Sequence, residues 1–472
     1  MSARIAVIGG GISGLAAANK LAGSGHDVHV FEASGEFGGK LSTELVDGFL
    51  IEGGADSFVA SRPRIVELCE ELGLSDQLMP TADPALRAFI YRGGKLHPIP
   101  EGFSGLVPTR FGPVLQSKLL SPFGKARLLL ELRVPINTSL PDESLKSFAV
   151  RRFGREAYER LLEPLLAGIS SSEGSQLSLT ASLPHWKTAE LEYGSVIKGI
   201  VASRPGQTSA PRISGFLSLE GGMSSLVQAI VQRVTDHGVK LHLNQSVETL
   251  EKQEQGYRLG LGGRGVESFD GVILAVPAIP AATLLRSIDT VLGETLDAIP
   301  QTSSIIVSLG YSDESVTSKL RGTGYLVPGS EHRLIGGTTW SSSKWTGRAA
   351  PGAALIRVYL HRRTVEKFAG SSDETLVEMA RTELRETLGI DAQPGLQRVT
   401  RWIDTTPQYT IGHLERVTAI EQQVSQHAGL ALAGNMLRGI GIPICVQTGE
   451  SAADKVLGSL LAASPQEPAS AG

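Results

Sequence analysis

Cysteine is scarce in this chain, since Cys69 and Cys445 are the only two among 472 residues. Neither lies in a C-x-x-C or Cys/His pattern, which excludes a disulfide framework and a cysteine-based zinc site. The helical spacing of apolar residues around Cys69 predicts that this thiol belongs to the core. No leader of charged and then apolar residues precedes the first predicted strand. We therefore expect a cytoplasmic protein that works in a reducing compartment without a metal.

Long apolar runs and an excess of positive charge are also missing. The longest apolar stretch, residues 271–285, contains Pro277 and Pro280 and is shorter than the roughly 18 residues of a membrane span. We expect no transmembrane helix and at most a peripheral membrane contact. The 44 basic residues are outnumbered by 48 acidic ones, so the net charge of −4 argues against nucleic-acid binding. Residues 85–135 nevertheless contain eight basic and only two acidic residues.

Glycine, in contrast, is abundant, at 55 residues, which is about 12% of the chain against a usual value of about 7%. Three of the glycines form a G-x-G-x-x-G motif between an apolar strand, Arg4–Ile8, and a helical pattern. A second strand ends at Glu32, which is placed to accept hydrogen bonds from a ribose hydroxyl. This order of elements is typical of a dinucleotide-binding unit. The residues expected to face the pyrophosphate are Gly9, Gly10, Gly11, Ile12, Ser13 and Gly14.

A second glycine pair indicates which dinucleotide is bound. Gly38 and Gly39 follow Glu32 and are followed in turn by Lys40. An NAD site needs neither the glycine pair nor the cation, whereas flavoenzymes use such a stretch to wrap FAD. We therefore expect FAD, with Gly39 and Lys40 among its contacts.

The pattern of elements predicts an α/β fold with an FAD-binding Rossmann-like domain, a mixed-sheet substrate domain and a helical insert. The FAD-binding domain is expected in residues 1–84, 207–280 and 401–472, the insert in 85–206 and the substrate domain in 281–400. Strands are predicted at 4–8, 28–31, 240–243, 247–252, 257–261, 269–276, 304–309, 355–360 and 430–435. Helices are predicted at 15–21, 64–72, 147–166 and 373–388 and from Thr448 onward.

Motifs along nearly the whole chain resemble a single family. They are Gly9–Gly14, Glu32, Gly38–Lys40, Gly53–Phe58, Glu163–Ile169, Pro407–Tyr409, Gly412–His413, Ala433–Asn435 and Gly439–Pro443. Together they resemble the protoporphyrinogen/coproporphyrinogen oxidase family of the flavin amine oxidase superfamily. The likeness is strongest to the soluble bacterial type that forms coproporphyrin III. One departure is Ile444, which precedes Cys445 where the family usually has an acidic residue.

The resemblance implies FAD-dependent oxidation of a porphyrinogen in haem biosynthesis. The colourless macrocycle loses six electrons and six protons in three steps, O2 reoxidises the flavin, and H2O2 is released. Aromatisation drives the reaction, so the protein mainly holds the ring against the flavin for hydride transfer, and we assign no catalytic residue. The product is expected to pass to the next enzyme of the haem pathway.

The same resemblance implies further site residues. Gly54, Ala55, Asp56 and Ser57 should lie against the flavin, Val247 near the adenine, and Ile440, Gly441 and Ile442 beside the isoalloxazine. Leu165 and Gly168 match positions that line the porphyrinogen face. The propionates of the substrate favour cationic partners, for which Arg87 and Lys95 are candidates in the basic stretch. His413 is expected to be a packed structural residue and not an acid or base.

Several alternatives stay open at this point. Coproporphyrinogen III and protoporphyrinogen IX differ in their number of propionates, and no single residue reads that number. An amine oxidase of the same superfamily would be expected to show paired Tyr or Trp residues near 434–443, which the sequence lacks. A carotenoid desaturase and a non-catalytic tetrapyrrole carrier are the remaining alternatives.

Overall fold

The first unit of the fold is built on a five-stranded parallel sheet. The computed structural model describes residues 2–83, 87–104, 106–138, 141–170, 173–203 and 215–463. The strands lie in the order Lys240–His242, Asp27–Phe31, Arg4–Ile8, Gly271–Leu274 and Leu430–Leu432. Most of their residues are buried because helices or a second sheet cover both faces, as parallel sheets require.

Two hydrophobic clusters cover the faces of this parallel sheet. On one face pack the helices Ile12–Leu21, Pro63–Glu71, Ser224–Asp236 and Ile442–Ala463. On the other face packs an antiparallel sheet of Val247–Lys252, Tyr257–Leu261 and Gly265–Phe269, with the helices Ala278–Leu285, Thr290–Asp297 and His413–Val424. The carboxyl ends of the parallel strands thus meet at one edge, where α/β sheets bind their ligands.

The second unit is a seven-stranded mixed sheet. Its strands lie in the order Leu396–Pro407, Gln301–Tyr311, Ala354–Leu360, Ile335–Trp340, Gly324–Leu326, Ala88–Arg92 and Lys95–Pro98. The strand Gly324–Leu326 pairs in parallel with Ala88–Arg92, and the other pairs are antiparallel. The helices Arg362–Phe368 and Asp373–Leu388 cover one face of the sheet.

A helical insert lies between residues 103 and 203. Its helices are Phe111–Gln116, Pro122–Leu129, Leu145–Phe153, Arg155–Ala157, Glu163–Ser170, Leu179–Ser182, Pro184–Tyr193 and Val196–Ala202, with a π-helical turn at Tyr158–Leu162 and a short hairpin of Phe103–Ser104 and Val107–Pro108. Their apolar faces form one core around Phe148 and Trp186. Ile90, from the second sheet, is buried in the same core, which joins the insert to that sheet.

Short elements complete the chain. The hairpin strands Thr43–Val46 and Phe49–Glu52 pair with each other, and Phe58–Val59, Phe216–Leu219 and Leu78–Pro80 form a three-stranded sheet. The short helices are Glu314–Thr317, Ser341–Lys344 and the 3₁₀ turns Ser75–Gln77, Leu130–Arg133 and Gly329–Glu331. Within the described ranges, no helix is both long and apolar enough to cross a bilayer.

The α/β architecture expected from the sequence is confirmed, but the expected element bounds are wrong in places. The hairpin 88–98 was expected in the helical insert, yet it extends the second sheet by pairing with a strand more than 200 residues away. The predicted helix 147–166 is interrupted at Gly154, whose φ of +91° ends one helix and begins the next. The last helix begins at Ile442 and not at Thr448.

Pairing partners also differ from the expected meander after residue 239. The strand Lys240–His242 joins the parallel sheet beside Asp27–Phe31, while the strand Gly265–Phe269 was missed. The helices at 278–297 pack on the first unit, and the strand 396–407 runs across the expected boundary at residue 400. Local patterns reveal an element but not the distant strand with which it pairs, so these differences concern long-range pairing.

Candidate cofactor and substrate site

The glycine-rich turn after the first strand has the geometry of a phosphate cradle. Gly9 adopts a φ of +106°, and a Cβ on it would lie 2.6 Å from the carbonyl oxygen of Ala275. A Cβ on Gly14 would overlap the carbonyl oxygen of Gly9, so the first helix packs directly on the turn. A Cβ on Gly11 would meet nothing within 4 Å, and Gly11 has no side chain to cap the helix Ile12–Leu21. Open space therefore lies beside Gly11 at the N-terminus of this helix, which fits a bound pyrophosphate.

Glu32 is held at the end of the second strand by the same turn. Its Oε2 accepts a hydrogen bond from Gly10 N at 2.8 Å, and its Oε1 accepts from both N and Oγ of Ser34, each at 2.8 Å. Gln245 N donates to the carbonyl oxygen of Glu32 at 2.8 Å. Val247 follows Gln245 by two residues, so this bond places the start of its strand next to the end of the strand that leads to Glu32. The expected ribose-binding acid and the expected adenine neighbour therefore lie near each other.

The second glycine pair packs against the first turn. Gly38 N donates to the carbonyl oxygen of Gly10 at 2.9 Å, and Gly39 has a φ of +58°. Lys40 then turns inward, where its Nζ donates to the carbonyl oxygen of Thr405 at 2.8 Å and to Oγ1 of Thr406 at 3.1 Å. Burial lowers the pKa of Lys40 to about 8. The cation thus lies at the junction between the first unit and the end of the long strand of the second sheet.

Residues 54–57 lie against a buried charged cluster that belongs to the second sheet. The Asp56 carboxylate accepts hydrogen bonds from Lys344 Nζ at 3.2 Å and from Trp345 Nε1 at 3.3 Å, and Arg357 NH1 lies 3.8 Å away. Burial alone would raise the pKa of Asp56, but the charges of Lys344 and Arg357 hold it well below its usual range. Arg357 NH2 donates to the carbonyl oxygen of Gly54 at 2.5 Å.

Ser57 and Ala55 complete the same segment. Ser57 Oγ donates to Asp56 Oδ1 at 2.6 Å, while Ala55 is exposed. Gly53 directly precedes this segment, and its carbonyl oxygen accepts a hydrogen bond from Trp402 Nε1 at 2.9 Å. Arg357 and Trp402 of the second sheet therefore hold this segment in place, and Ala55 remains exposed.

The start of the last helix meets the first helix at the same edge of the parallel sheet. A Cβ on Gly449 would overlap the carbonyl oxygen of Ser13, so the two helices cross in close contact. Gly434, with a φ of +115°, donates its N–H to Oγ1 of Thr448 at 3.0 Å. Burial raises the pKa of the Cys445 thiol to about 11.

The three residues expected beside the isoalloxazine ring precede or begin this helix. Ile440 is half-buried, Gly441 is exposed and Ile442 is buried. The structure thus brings together the glycine-rich turn, Lys40 and the 440–442 segment, which are far apart in the chain. This surface has the components that a stretched dinucleotide needs.

His413 is enclosed and has no exposed surface. Its ring stacks on Tyr409 at 4.3 Å between centroids, and its Nε2 lies 2.8 Å from the carbonyl oxygen of Leu437. Burial lowers the pKa of His413, which favours the neutral ring. These contacts fit the structural role expected for this residue.

The four expected substrate residues come from two parts of the fold, the helix Glu163–Ser170 and the hairpin that follows Arg87. Gly168 packs on the second sheet, where a Cβ would be 2.9 Å from Leu326 Cδ2, and Leu165 lies one helical turn earlier, half-buried. Arg87 is exposed and forms an ion pair with Glu101, and Lys95 is exposed at the end of its hairpin. Within the described part of the chain, no hydrogen bond or ion pair links either cation to the 163–170 helix.

Sequence reasoning missed the buried cations that hold the 54–57 segment. Arg348 and Arg357 are each only 1% exposed, and Arg348 donates to Ser218 Oγ and to the carbonyl oxygens of Leu219 and Glu220. A usable signal existed, because Arg357 is the lone charge in the otherwise apolar strand Ala354–Leu360. A charge in a buried strand needs a partner, which here is Asp56.

Comparisons with known proteins agree along the whole chain. The sequence profile of the family described as flavin-containing amine oxidoreductase matches residues 12–457. The coproporphyrinogen III oxidase of Propionibacterium freudenreichii subsp. freudenreichii is 34% identical, over 98% of this chain and 92% of the relative. The coproporphyrinogen III oxidase of Bacillus subtilis (strain 168) is 31% identical, over 96% of this chain and 97% of the relative.

The fold is likewise similar to a solved structure. A protein from Exiguobacterium sp. 255-15 with the provisional name protoporphyrinogen oxidase superposes with a TM-score of 0.84 at 30% identity. The match covers 98% of this chain and 99% of the other. The likeness therefore includes the helical insert as well as the two sheets.

Proposed function

This chain belongs to the flavin-containing amine oxidoreductase family, and we propose that it is an FAD-dependent oxidase that converts coproporphyrinogen III to coproporphyrin III in haem biosynthesis. The observation that carries the proposal is the similarity to two coproporphyrinogen III oxidases over at least 96% of the chain. The balance of the reaction requires three O2 for each macrocycle, because six electrons and six protons leave the substrate and form three H2O2.

We assign the adenine end of FAD to the glycine-rich turn and Glu32, and the flavin end to the segments that meet the second unit. The pyrophosphate would lie on the N–H groups of residues 9–14, the ribose at Glu32 and the adenine toward Val247. The segments 39–40, 54–57 and 440–442 would hold the flavin end. When bound, FAD accepts hydride from the substrate and passes the electrons to O2.

The residues of the chain serve mainly to position the reactants. Arg357 and Lys344 fix the Asp56 segment from behind, so the backbone that faces the flavin does not need to reorganise when substrate binds. The seam between Gly168 and Leu326 is the face at which we place the macrocycle. His413 is enclosed, so we assign it no proton transfer.

A spectroscopic experiment tests this function. The purified protein should be yellow and should bleach when coproporphyrinogen III is added without O2. Admission of air should restore the flavin absorbance and produce porphyrin fluorescence and peroxide. Protoporphyrinogen IX serves as the matched substrate and should react more slowly. A protein that takes up no FAD, or that turns over neither porphyrinogen, would contradict the proposal, and bleaching by amines instead would indicate an amine oxidase.

We also propose a cytoplasmic enzyme that delivers its porphyrin to the next enzyme of the pathway. Co-sedimentation with anionic vesicles at physiological salt would contradict a purely cytoplasmic location. A yellow protein that binds porphyrinogen but does not bleach would indicate a carrier.

A further inference from the structure

A polar cavity of about 460 Å³ lies where the second sheet meets the helical insert. Its lining includes Arg92, His97, Arg160, Pro328, Ser330 and Glu331. Arg92 and His97 come from the hairpin 88–98, Arg160 from the π-helical turn of the insert, and the others from the loop after the strand Gly324–Leu326. The volume is within the range of small-molecule sites.

The two arginines of this cavity are anchored through one nitrogen each. Arg92 NH1 donates to the carbonyl oxygens of Lys118 at 3.1 Å and Leu119 at 3.4 Å. Arg160 NH1 donates to the same Leu119 oxygen at 3.3 Å and pairs with Glu156. Among the described residues, all hydrogen bonds of the two guanidinium groups use NH1. Their Nε and NH2 atoms are left to bind a ligand from positions that are already fixed.

The hydrogen-bond donors of the lining favour an anion. Glu331 is the carboxylate of the lining, and its Oε2 accepts from Gly93 N at 3.1 Å. Glu156 pairs with Arg160 and lies near enough to Arg92 for both charges to lower the pKa of its carboxyl, so the case for a bound carboxylate rests on the remaining guanidinium donors. The planar fork of arginine also matches a carboxylate in a bidentate arrangement.

The cavity adjoins the seam at which we place the macrocycle. Pro328 follows Leu326 by two residues, and Leu326 is the residue on which Gly168 packs. Arg160 precedes Leu165 by five residues in the same helical segment. Both sides of the seam therefore continue along the chain into the lining of the cavity.

We propose that this cavity binds a propionate carboxylate of the porphyrinogen through Arg92 and Arg160. The inference rests on the proposed function, because it takes the substrate from there. Coproporphyrinogen III carries a propionate on each of its four pyrroles and presents one to this edge in every orientation. Protoporphyrinogen IX carries propionates on only two pyrroles. The cavity thereby favours the substrate with four carboxylates.

The test compares Arg92→Gln and Arg160→Gln with a matched control, Arg286→Gln. Arg286 is exposed, pairs with Asp297 at 2.6 Å, and lies on the first unit. For each protein, the KM and kcat for coproporphyrinogen III and the Kd for coproporphyrin III, from fluorescence titration, are measured. Loss of one charge-assisted hydrogen bond should raise KM and Kd by about 10- to 100-fold. The kcat at saturation and the FAD content should stay as in the control.

Two further arms identify the ligand. Coproporphyrin III tetramethyl ester, which has no carboxylate, should bind the wild type and Arg92→Gln equally. Arg92→Lys should restore part of the affinity, because it keeps the charge but not the planar fork.

The outcomes separate this proposal from the proposed function. Unchanged KM and Kd in both variants would overturn the proposed propionate site. A loss of FAD or of thermal stability would also overturn it, because it would show that the two arginines have a structural role. A wild-type protein that binds coproporphyrin III but does not oxidise coproporphyrinogen III would overturn the proposed function alone. The fluorescence titration would still show whether Arg92 and Arg160 bind a propionate.

Discussion

Replacing Gly9 by alanine tests whether the glycine-rich turn has the tight geometry seen here. Gly9 has a φ of +106°, which an alanine adopts only with strain. The added Cβ would also lie 2.6 Å from the carbonyl oxygen and 2.9 Å from the carbonyl carbon of Ala275, both of them backbone atoms of a neighbouring segment. The overlap cannot be relieved by a change of side-chain rotamer.

The magnitude follows from these two effects. Backbone strain of this kind costs about 1–3 kcal/mol, and overpacking against a fixed neighbour costs a similar amount. Gly9→Ala should therefore destabilise the fold by about 2–6 kcal/mol. The turn would shift away from Ala275, and the N–H groups of residues 10–14 would move with it, so FAD affinity should fall as well.

The assay measures FAD content by absorbance and thermal stability by melting, with Gly458→Ala as the matched control. Gly458 lies in the helix Ile442–Ala463, where an added Cβ would meet nothing within 4 Å. This control should gain about 0.5–1 kcal/mol, because alanine favours helix more than glycine does. Gly9→Ala should melt several degrees lower and lose most of its FAD. If Gly9→Ala keeps the wild-type FAD content and melting temperature, the described turn is wrong.

Three other perturbations have defined outcomes. Arg357→Gln should cost about 2–4 kcal/mol in chemical denaturation, because the buried Asp56 loses a nearby cation and the Gly54 carbonyl loses its donor; an unchanged midpoint would contradict this. Burial lowers the pKa of His29, so the unfolded state binds its proton more readily just below about pH 6.5, and stability falls as the pH drops through that window. His29→Gln should melt with a weaker pH dependence there, and an identical profile would refute the assignment. Burial raises the pKa of Cys69 to about 12 and of Cys445 to about 11, so Ellman's reagent should label both thiols only after denaturation, and rapid labelling of the native protein would contradict their burial.

Local sequence patterns predicted the first nucleotide-binding unit well. The strand Arg4–Ile8 has the expected bounds, and the helix Asp373–Leu388 is also found as expected. Cys69 is fully buried, as its helical spacing predicted. These features depend on residues close together in the chain, where periodicity and turn chemistry are sufficient.

The extent of the seven-stranded sheet, in contrast, does not follow from local sequence patterns. Its edge hairpin 88–98 and its long strand 396–407 are separated by about 300 residues, and each joins partners that no local pattern identifies. The expected substrate residues also show that local patterns do not reveal which residues meet in space. Charge and local position indicate Arg87 and Lys95, but both are exposed, whereas Arg92 and Arg160 line the cavity.

The amino-acid sequence by itself determined the type of cofactor site, because glycines at fixed spacing after a strand and an acid after the next strand are a local requirement for holding a dinucleotide. It also determined the family, through motifs spread over the whole chain. The tertiary structure alone decided which charges meet. Arg357 reaches Asp56 across 301 residues of sequence, and Arg92 meets Arg160 only because the insert folds back on the edge of the second sheet. Electrostatic contacts depend on distance in space, and the chain separation of these residues carries no information about that distance.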